Sequence, residues 1–181
     1  MEKIKNDGKI IATETIFPLV SYKAKDILWT VAFIVAAIIF PAILAHTPAN
    51  QWITGTIVNS IILLAIWRVG ILNATLVAVL PSSIALARGL LPAPMAGLIP
   101  YIILSNIILI AVFYFLRRSP MVGIILAASA KFIFLFALTS YLIKINHALL
   151  VMMQWPQLFT ALAGGLIAVG VIKILSKKQI S

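Results

Sequence analysis

The sequence predicts an all-α integral membrane protein in which six transmembrane helices form a compact bundle. Of its 181 residues, 63% are hydrophobic and 10% are charged, whereas soluble domains are about 45–50% apolar and about 25% charged. All four acidic residues precede the first apolar run, and no carboxylate side chain follows Asp26. A single globular core cannot bury this much apolar surface, so we expect the outside of the bundle to face lipid.

Six apolar runs divide the chain. A helix needs about 20 mostly apolar residues to cross a bilayer, and the runs lie at 27–45, 52–67, 71–91, 95–116, 121–143 and 155–175. Arg68 and Gly70 mark the turn between the second and third runs, and Pro156 suits the first turn of the sixth helix. We expect a cytoplasmic N-terminal segment at 1–26 rather than a cleaved signal peptide. A six-helix transmembrane domain at 27–175 and a cytoplasmic tail at 176–181 follow, with no soluble domain.

The basic residues give the bundle an orientation. With both termini in the cytoplasm, Arg88 and Lys144 are the only Lys and Arg residues at the outer ends of spans, and Lys131 lies within a span. All the other basic residues fall on the inner side, which is the positive-inside pattern of membrane proteins. Merging the second and third runs into one span would place Lys177 and Lys178 outside, so six spans are favoured over five.

Two of the basic residues are candidates for binding a ligand. Lys131 lies near the middle of the fifth span, and Arg88 lies about one turn from the outer end of the third. A charge at mid-bilayer costs about 2.5–3.5 kcal/mol on insertion scales, so it usually faces protein or water. Because no acid follows Asp26, the partner must be a backbone carbonyl, a neutral amide, water or an anionic ligand. Snorkelling to the interface is an alternative that suits Arg88 better than Lys131.

Neutral polar residues concentrate in the outer halves of the spans. Asn59 and Asn106 should lie near the depth of Lys131, and Gln157 lies further out. This asymmetry predicts a pocket that opens to the outside and is closed below by apolar packing, with these three residues orienting the ligand. Hydrogen bonding between helices is the alternative reading. The full outer set is Thr54, Thr56, Asn59, Ser105, Asn106, Thr139, Ser140, Gln154, Gln157 and Thr160.

Trp155 is the aromatic candidate for the site. It lies with Trp52 at the predicted outer interface, where tryptophans usually anchor a helix at the lipid headgroups. Stacking of Trp155 on a ring-shaped ligand is the functional alternative.

Several classes of chemistry are not expected. The chain has no cysteine, no G-x-x-x-x-G-K-[ST] and no G-x-S-x-G, and neither His46 nor His147 has an H-E-x-x-H context. We therefore predict no catalytic residues, no metal site, no cofactor and no enzymatic activity. The basic residues alternate with spans instead of forming one patch, so nucleic acid is not an expected partner.

Small residues and local strings carry a family resemblance. The first span contains Ala32-x-x-x-Ala36, and the most distinctive strings are Gln51-Trp52-Ile53-Thr54-Gly55, Gly89-Leu90-Leu91-Pro92-Ala93 and Trp155-Pro156-Gln157. With six spans in about 180 residues, the chain resembles the substrate-binding S components of energy-coupling factor (ECF) vitamin transporters over residues 27–175, mostly in architecture. Some S-like proteins carry an iron hydrogenase label, but without cysteine this chain lacks the usual ligands of an iron–sulfur cluster.

The resemblance implies a division of labour in the bacterial-type cell membrane. An S component captures a vitamin or similar small molecule from outside, a transmembrane T component docks on its first helix, and a pair of ATPase subunits drives release inward. Ala32 and Ala36 would then contact the T component, and loop 46–51 would help to gate the pocket. A structural or scaffold membrane protein without a transport ligand is the main alternative. A self-sufficient carrier or channel is disfavoured by the apolar inner halves of the spans.

Overall fold

The computed structural model describes residues 24–44, 50–87 and 96–178, and within these ranges the chain is helical, with no β-strand. Helix α2 lies against α1, α3 and α6, while α4 lies against α3 and α6. The all-helical fold that the sequence predicts is confirmed for these residues. The helices are α1 (Ala24–Leu44), α2 (Asn50–Ala87), α3 (Ile99–Phe115), α4 (Pro120–Ala137), α5 (His147–Met153) and α6 (Trp155–Lys178), with a π-helical turn at Leu138–Leu142 after α4.

Much of the surface of the bundle is apolar. Large aliphatic and aromatic side chains are widely exposed, among them Leu28, Ile43 and Phe115. A soluble monomer rarely exposes large contiguous apolar patches, so a lipid surround accounts for this surface. Four helical stretches are long and apolar enough to cross a membrane, namely Ala24–Leu44, Asn50–Ile84, Pro120–Leu142 and His147–Lys177. The shorter apolar helix Ile99–Phe115 is a fifth candidate.

Helix α2 folds back on itself at Gly70. This glycine has φ 83° and ψ 175°, a backbone conformation essentially restricted to glycine. Before it, Trp67 lines a cavity with Arg117, just beyond the C-terminal end of α3. After it, Leu86 lines a cavity with Ile99, at the opposite end of α3. Residue 59 lies level with residue 106 of α3, because both side chains accept from Lys131, so the first half of α2 runs parallel to α3 toward Arg117. The second half returns to Ile99 at the start of α3, so the two halves of α2 run in opposite directions.

The predicted turn between the second and third apolar runs therefore lies at Gly70. Both runs fall within α2, although residues 88–91 of the third run lie outside the described residues. Pro81 is accommodated within the helix. The reversal divides α2 into two antiparallel helical segments.

The two ends of the bundle differ in chemistry. At one end, the Asp26 carboxylate lies 3.6 Å from the Arg68 guanidinium, which also stacks 5.2 Å from the Trp29 ring centre. Arg117 and Lys173 line the same cavity as Trp67 at this end. We call it the basic end, defined by Arg68, Arg117 and Lys173. The opposite end carries glutamine amides, described with the candidate site.

Local sequence signals explain where the later helices begin. Pro100 and Pro120 lie in the first turns of α3 and α4, where a proline loses no intrahelical hydrogen bond. The Asn146 side chain accepts a 2.9 Å hydrogen bond from the Leu149 N–H and caps α5. Helix α5 was not predicted, because its seven residues are too few to show a span-length apolar run.

Helices α2 and α6 pack closely through small residues. A Cβ atom on Gly164 would lie 2.7 Å from the Thr56 carbonyl oxygen and 2.8 Å from the Asn59 Cβ. Ser60 Oγ donates a 3.0 Å hydrogen bond to the Gly164 carbonyl across the same contact. This close approach places Asn59 in the middle of the bundle.

Candidate functional site

Lys131 lies at the centre of a polar cluster inside the bundle. Its Nζ donates a 2.7 Å hydrogen bond to Asn106 Oδ1 and a 2.9 Å hydrogen bond to Asn59 Oδ1. The three residues come from α4, α3 and α2, and none has more than 3% of its surface exposed. The three side chains that the sequence placed at one depth are therefore in hydrogen-bond contact, and we call them the Lys131 triad.

Packing fixes the lysine on the inner face of α4. Ala127, Ala128 and Leu135 lie three or four residues from Lys131 on the same helix and are buried with it. The two alanines leave room for the long lysine side chain to extend between the helices. Ser105, adjacent to Asn106 on α3, is fully buried and donates a 2.7 Å hydrogen bond to the Ile102 carbonyl of its own helix.

Hydrogen bonds orient the Asn59 amide. Its Nδ2 donates to the Gly55 carbonyl at 2.8 Å and to Thr160 Oγ1 at 3.4 Å. The amide oxygen is thereby directed at Lys131, whose ammonium group can only donate. Thr160 thus connects α6 to the triad, so the cluster joins four helical segments.

The electrostatics of the triad are unbalanced. Lys131 carries a formal positive charge, while Asn59 and Asn106 contribute only amide dipoles. Taking an ammonium group out of water costs several kcal/mol unless a counter-charge and further hydrogen bonds compensate. The sequence has no carboxylate beyond Asp26, and that carboxylate lies at the basic end beside Arg68. A ligand with an anionic oxygen could take the place of either amide oxygen and supply the missing charge.

The triad is enclosed in this conformation. Two cavities, of about 570 and 310 Å³, lie elsewhere, and neither is lined by a triad residue. The larger is an apolar cleft beside the start of α3, and the smaller lies at the basic end. The pocket open to the outside that the sequence suggests therefore stays a prediction, since reaching Lys131 requires helices to move.

Gln157 is connected to the triad through Thr160. Its carbonyl oxygen accepts a 3.4 Å hydrogen bond from Thr160 Oγ1, and Thr160 contacts Asn59. Its side-chain Nε2 donates to the Met152 carbonyl at 3.3 Å. The Gln157 amide thus points at the end of α5 and not at Lys131.

Other amides close the end of the bundle opposite the basic end. Gln51 Nε2 donates a 2.7 Å hydrogen bond to the Met152 carbonyl, and Gln154 Nε2 donates a 3.2 Å hydrogen bond to Ser140 Oγ. These bonds connect the start of α2, the π-helical turn and the end of α5. Within the predicted gating loop 46–51, residues 46–49 lie outside the described residues, and Gln51 contributes the hydrogen bond to Met152.

Trp155 faces away from the triad. More than half of its surface is exposed, and its ring packs on Phe132 at 4.9 Å and near Phe159 at 6.3 Å between ring centres. Trp52 joins the same row, 6.2 Å from Phe159. The structure thus does not bring Trp155 together with the other candidate ligand contacts, and its environment matches interfacial anchoring. Arg88 lies outside the described residues.

The alanine pair of α1 divides between surface and interior. Ala32 is exposed, whereas Ala36 is half-buried and packs against the core of the bundle. Ala37, which the spacing did not single out, is the most deeply buried apolar residue of α1. Helix α1 has its main contact with α2 alone, so much of its surface remains accessible.

The sequence did not single out two residues that build the site. Thr160 belongs to the outer polar set, but nothing marked it as the partner of Asn59. Gly55 both accepts from the Asn59 amide and packs against Thr160, to which its Cβ would come within 3.0 Å. A small residue four positions before an asparagine was the available signal. Comparison with protein-family models, curated proteins and solved structures finds no match to this chain.

Proposed function

We propose that the chain is the membrane-embedded substrate-capture subunit of an ECF-type importer, and that it binds a small anionic, carboxylate-bearing solute from outside the cell. The observation that carries the proposal is the Lys131 ammonium group in the bundle interior, held by two neutral amides. A buried cation without a counter-charge is costly, and ionisable residues inside membrane domains usually serve function. An anionic solute would repay that cost on binding.

The proposed topology has six crossings with both termini in the cytoplasm. It is supported by the reversal at Gly70, which adds a crossing to the apolar helices α1, α3, α4 and α6 and the first half of α2. The basic end would face the cytoplasm, because Lys and Arg accumulate on that side. The end that carries the glutamine amides would then face outward, toward the solute.

The proposed binding event begins with opening at the outward end. Breaking the bonds of Gln51 and Gln154 would free α5 and the start of α6 to move. The solute carboxylate would then replace an amide oxygen at Lys131, and the released amide would turn to a polar group of the ligand. The enclosed triad is in this proposal the resting state of the site.

The proposed partners are a transmembrane T component and a pair of ATPase subunits. The chain has no P-loop, so ATP hydrolysis would come from those subunits. Helix α1 is suited to docking because it lies at the edge of the bundle with Ala32 on its exposed face. A small side chain there would allow a second helix to approach closely.

Matched pairs of acids and amides test the proposed ligand class. Purified protein would be titrated with nicotinate, pantothenate and biotin, each beside its uncharged amide or alcohol, while thermal stability is followed. We expect stabilisation by at least one acid and none by its uncharged analogue. Lys131→Met should lower the affinity for that acid by at least about 30-fold, because losing one partner of a buried charge pair costs 2 kcal/mol or more. Equal affinity in Lys131→Met and the parent protein would contradict the proposal.

A structural scaffold is the second candidate, and the enclosure of the triad favours it. A buried lysine that donates to two asparagines at the centre of a bundle can also serve to fix helix register. Affinity purification from native membranes in mild detergent separates the two functions. Recovery of a T-like protein with two ATPases supports the importer, whereas recovery of cell-wall assembly proteins without ATPases supports the scaffold.

A further inference from the structure

A cavity of about 310 Å³ at the basic end combines an apolar floor with a cationic rim. Its volume falls at the lower end of the range of small-molecule sites in proteins. The floor is formed by buried Ile66, Phe113 and Val169, and the rim by exposed Trp67, Arg117 and Lys173.

No carboxylate of the described residues is paired with the two rim cations. In the part of the chain that the structure describes, Asp26 is the one acidic residue, and its carboxylate lies 3.6 Å from Arg68. The Arg117 guanidinium stacks 4.5 Å from the Tyr114 ring centre. Because the ring contacts only the face of the guanidinium group, the N–H groups at its edge can donate to an acceptor such as phosphate. The rim is therefore complementary to an anion.

The floor requires a ligand with an apolar part. Helices α2, α3 and α6 contribute the floor, so the cavity lies between helices and not on one helix surface. Basic pockets between transmembrane helices on the cytoplasmic side suit anionic lipid headgroups. An inorganic anion would satisfy the rim but leave the apolar floor unused.

We propose that this cavity binds an anionic diacyl phospholipid, with its phosphate on Arg117 and Lys173 and the start of an acyl chain against Ile66, Phe113 and Val169. The site is separate from the Lys131 triad, and it does not depend on the solute-capture function. Its occupant would connect the Gly70 turn, the α3–α4 connection and the end of α6.

Fluorescence quenching of Trp67 tests the proposal. The substitutions Trp29→Phe, Trp52→Phe and Trp155→Phe leave Trp67 as the sole tryptophan, at the rim of the cavity. The protein in detergent micelles would be titrated with phosphatidylglycerol brominated on its acyl chains and, separately, with brominated phosphatidylcholine. We expect saturable quenching by brominated phosphatidylglycerol at a concentration at least about fivefold below that of brominated phosphatidylcholine.

Charge variants locate the headgroup. Arg117→Gln and Lys173→Gln should each raise the half-quenching concentration of brominated phosphatidylglycerol by about fivefold, the contribution of one basic residue near a membrane surface. Arg118→Gln is the matched control, because it removes the same charge from the adjacent residue, which does not line the cavity; it should change little. Ile172→Phe keeps both cations and fills part of the cavity, so it should weaken the binding of both lipids.

Three results would overturn the proposal. The first is equal half-quenching by the two lipids, and the second is an effect of Arg118→Gln as large as that of Arg117→Gln. The third is displacement of the brominated lipid by millimolar inorganic phosphate, which would identify an ion site. Circular dichroism and gel filtration check the folding of each variant. If Arg117→Gln does not fold, Lys173→Gln and Ile172→Phe decide the outcome.

Discussion

Lys131 Nζ lies 2.7 Å from Asn106 Oδ1, and this hydrogen bond joins α4 to α3 in the interior of the bundle. Both residues are at least 97% buried. An ammonium group in such a place is stabilised only by the oxygens that its neighbours provide. Its dependence on two asparagines has measurable consequences for stability.

Removing the Asn106 amide should destabilise the protein in a lysine-dependent way. Asn106→Leu deletes an acceptor from a charged donor, a loss of about 1.5–3 kcal/mol in the free energy of unfolding. In the Lys131→Met background the same substitution should cost less than about 1 kcal/mol, because no ammonium group is left unpaired. Unfolding in mixed micelles, followed by circular dichroism, measures both values.

Asn73→Leu is the control for that cycle. Asn73 is also buried, but its amide donates to the Val69 carbonyl within α2. Its effect should be the same in the parent protein and in the Lys131→Met background. An equal loss for Asn106→Leu in the two backgrounds would show that the lysine and asparagine are not coupled.

Gly164→Ala should loosen the contact between α2 and α6. The added methyl would lie 2.7 Å from the Thr56 carbonyl oxygen, and overpacking of this kind costs about 1–3 kcal/mol. Gly170→Ala on the same helix would meet no atom within 4 Å and should be neutral or stabilising, since alanine favours helix. The melting temperatures of the two variants decide the matter. A Gly164→Ala protein as stable as the Gly170→Ala protein would contradict the close packing.

Gly70→Ala should destabilise the turn inside α2. A side chain at φ 83° and ψ 175° costs about 1–3 kcal/mol. Gly97→Ala is the control, because it adds the same methyl group in a turn with no atom within 4 Å. Thermal unfolding of the two variants compares them directly. Equal loss of stability in the two variants would contradict the positive φ at Gly70.

Single cysteines can test the proposed orientation of α4 in the membrane, because the parent chain contains no cysteine. Ser119→Cys lies between α3 and α4 at the basic end, and Lys144→Cys lies near the opposite end. In intact cells a membrane-impermeant maleimide should label Lys144→Cys and spare Ser119→Cys, which should react only after permeabilisation. Labelling of both positions from outside would contradict the proposed orientation.

The sequence predicted the depth of polar residues better than the direction they face. Position along a span placed Lys131, Asn59 and Asn106 at one level, and they do form hydrogen bonds. Trp155 also lies at the expected end, yet it faces outward. Helices that are apolar on all sides give no periodicity from which to read rotation about the helix axis. Rotation is fixed by packing contacts, such as Gly164 against α2, that only the folded structure reveals.

The turn at Gly70 was predictable from the sequence, whereas the enclosure of the triad was not. A glycine after an arginine between two apolar runs is a local signal, so the turn was predictable. Enclosure depends on how α5 and the amides of Gln51 and Gln154 cover the bundle. The bond from Gln51 to Met152 joins residues 101 positions apart, and no local pattern specifies it.

The most direct measurement is the small-molecule content of the protein purified from its native membranes. Released compounds would be identified by mass spectrometry for the parent protein, for Lys131→Met and for Lys144→Met, a control that removes a lysine from the exposed surface. We expect one small carboxylate-bearing anion in the parent protein and in Lys144→Met, and its loss from Lys131→Met. The same anion at equal occupancy in Lys131→Met, or no bound anion in any of the three, would contradict a solute-binding role for the Lys131 triad.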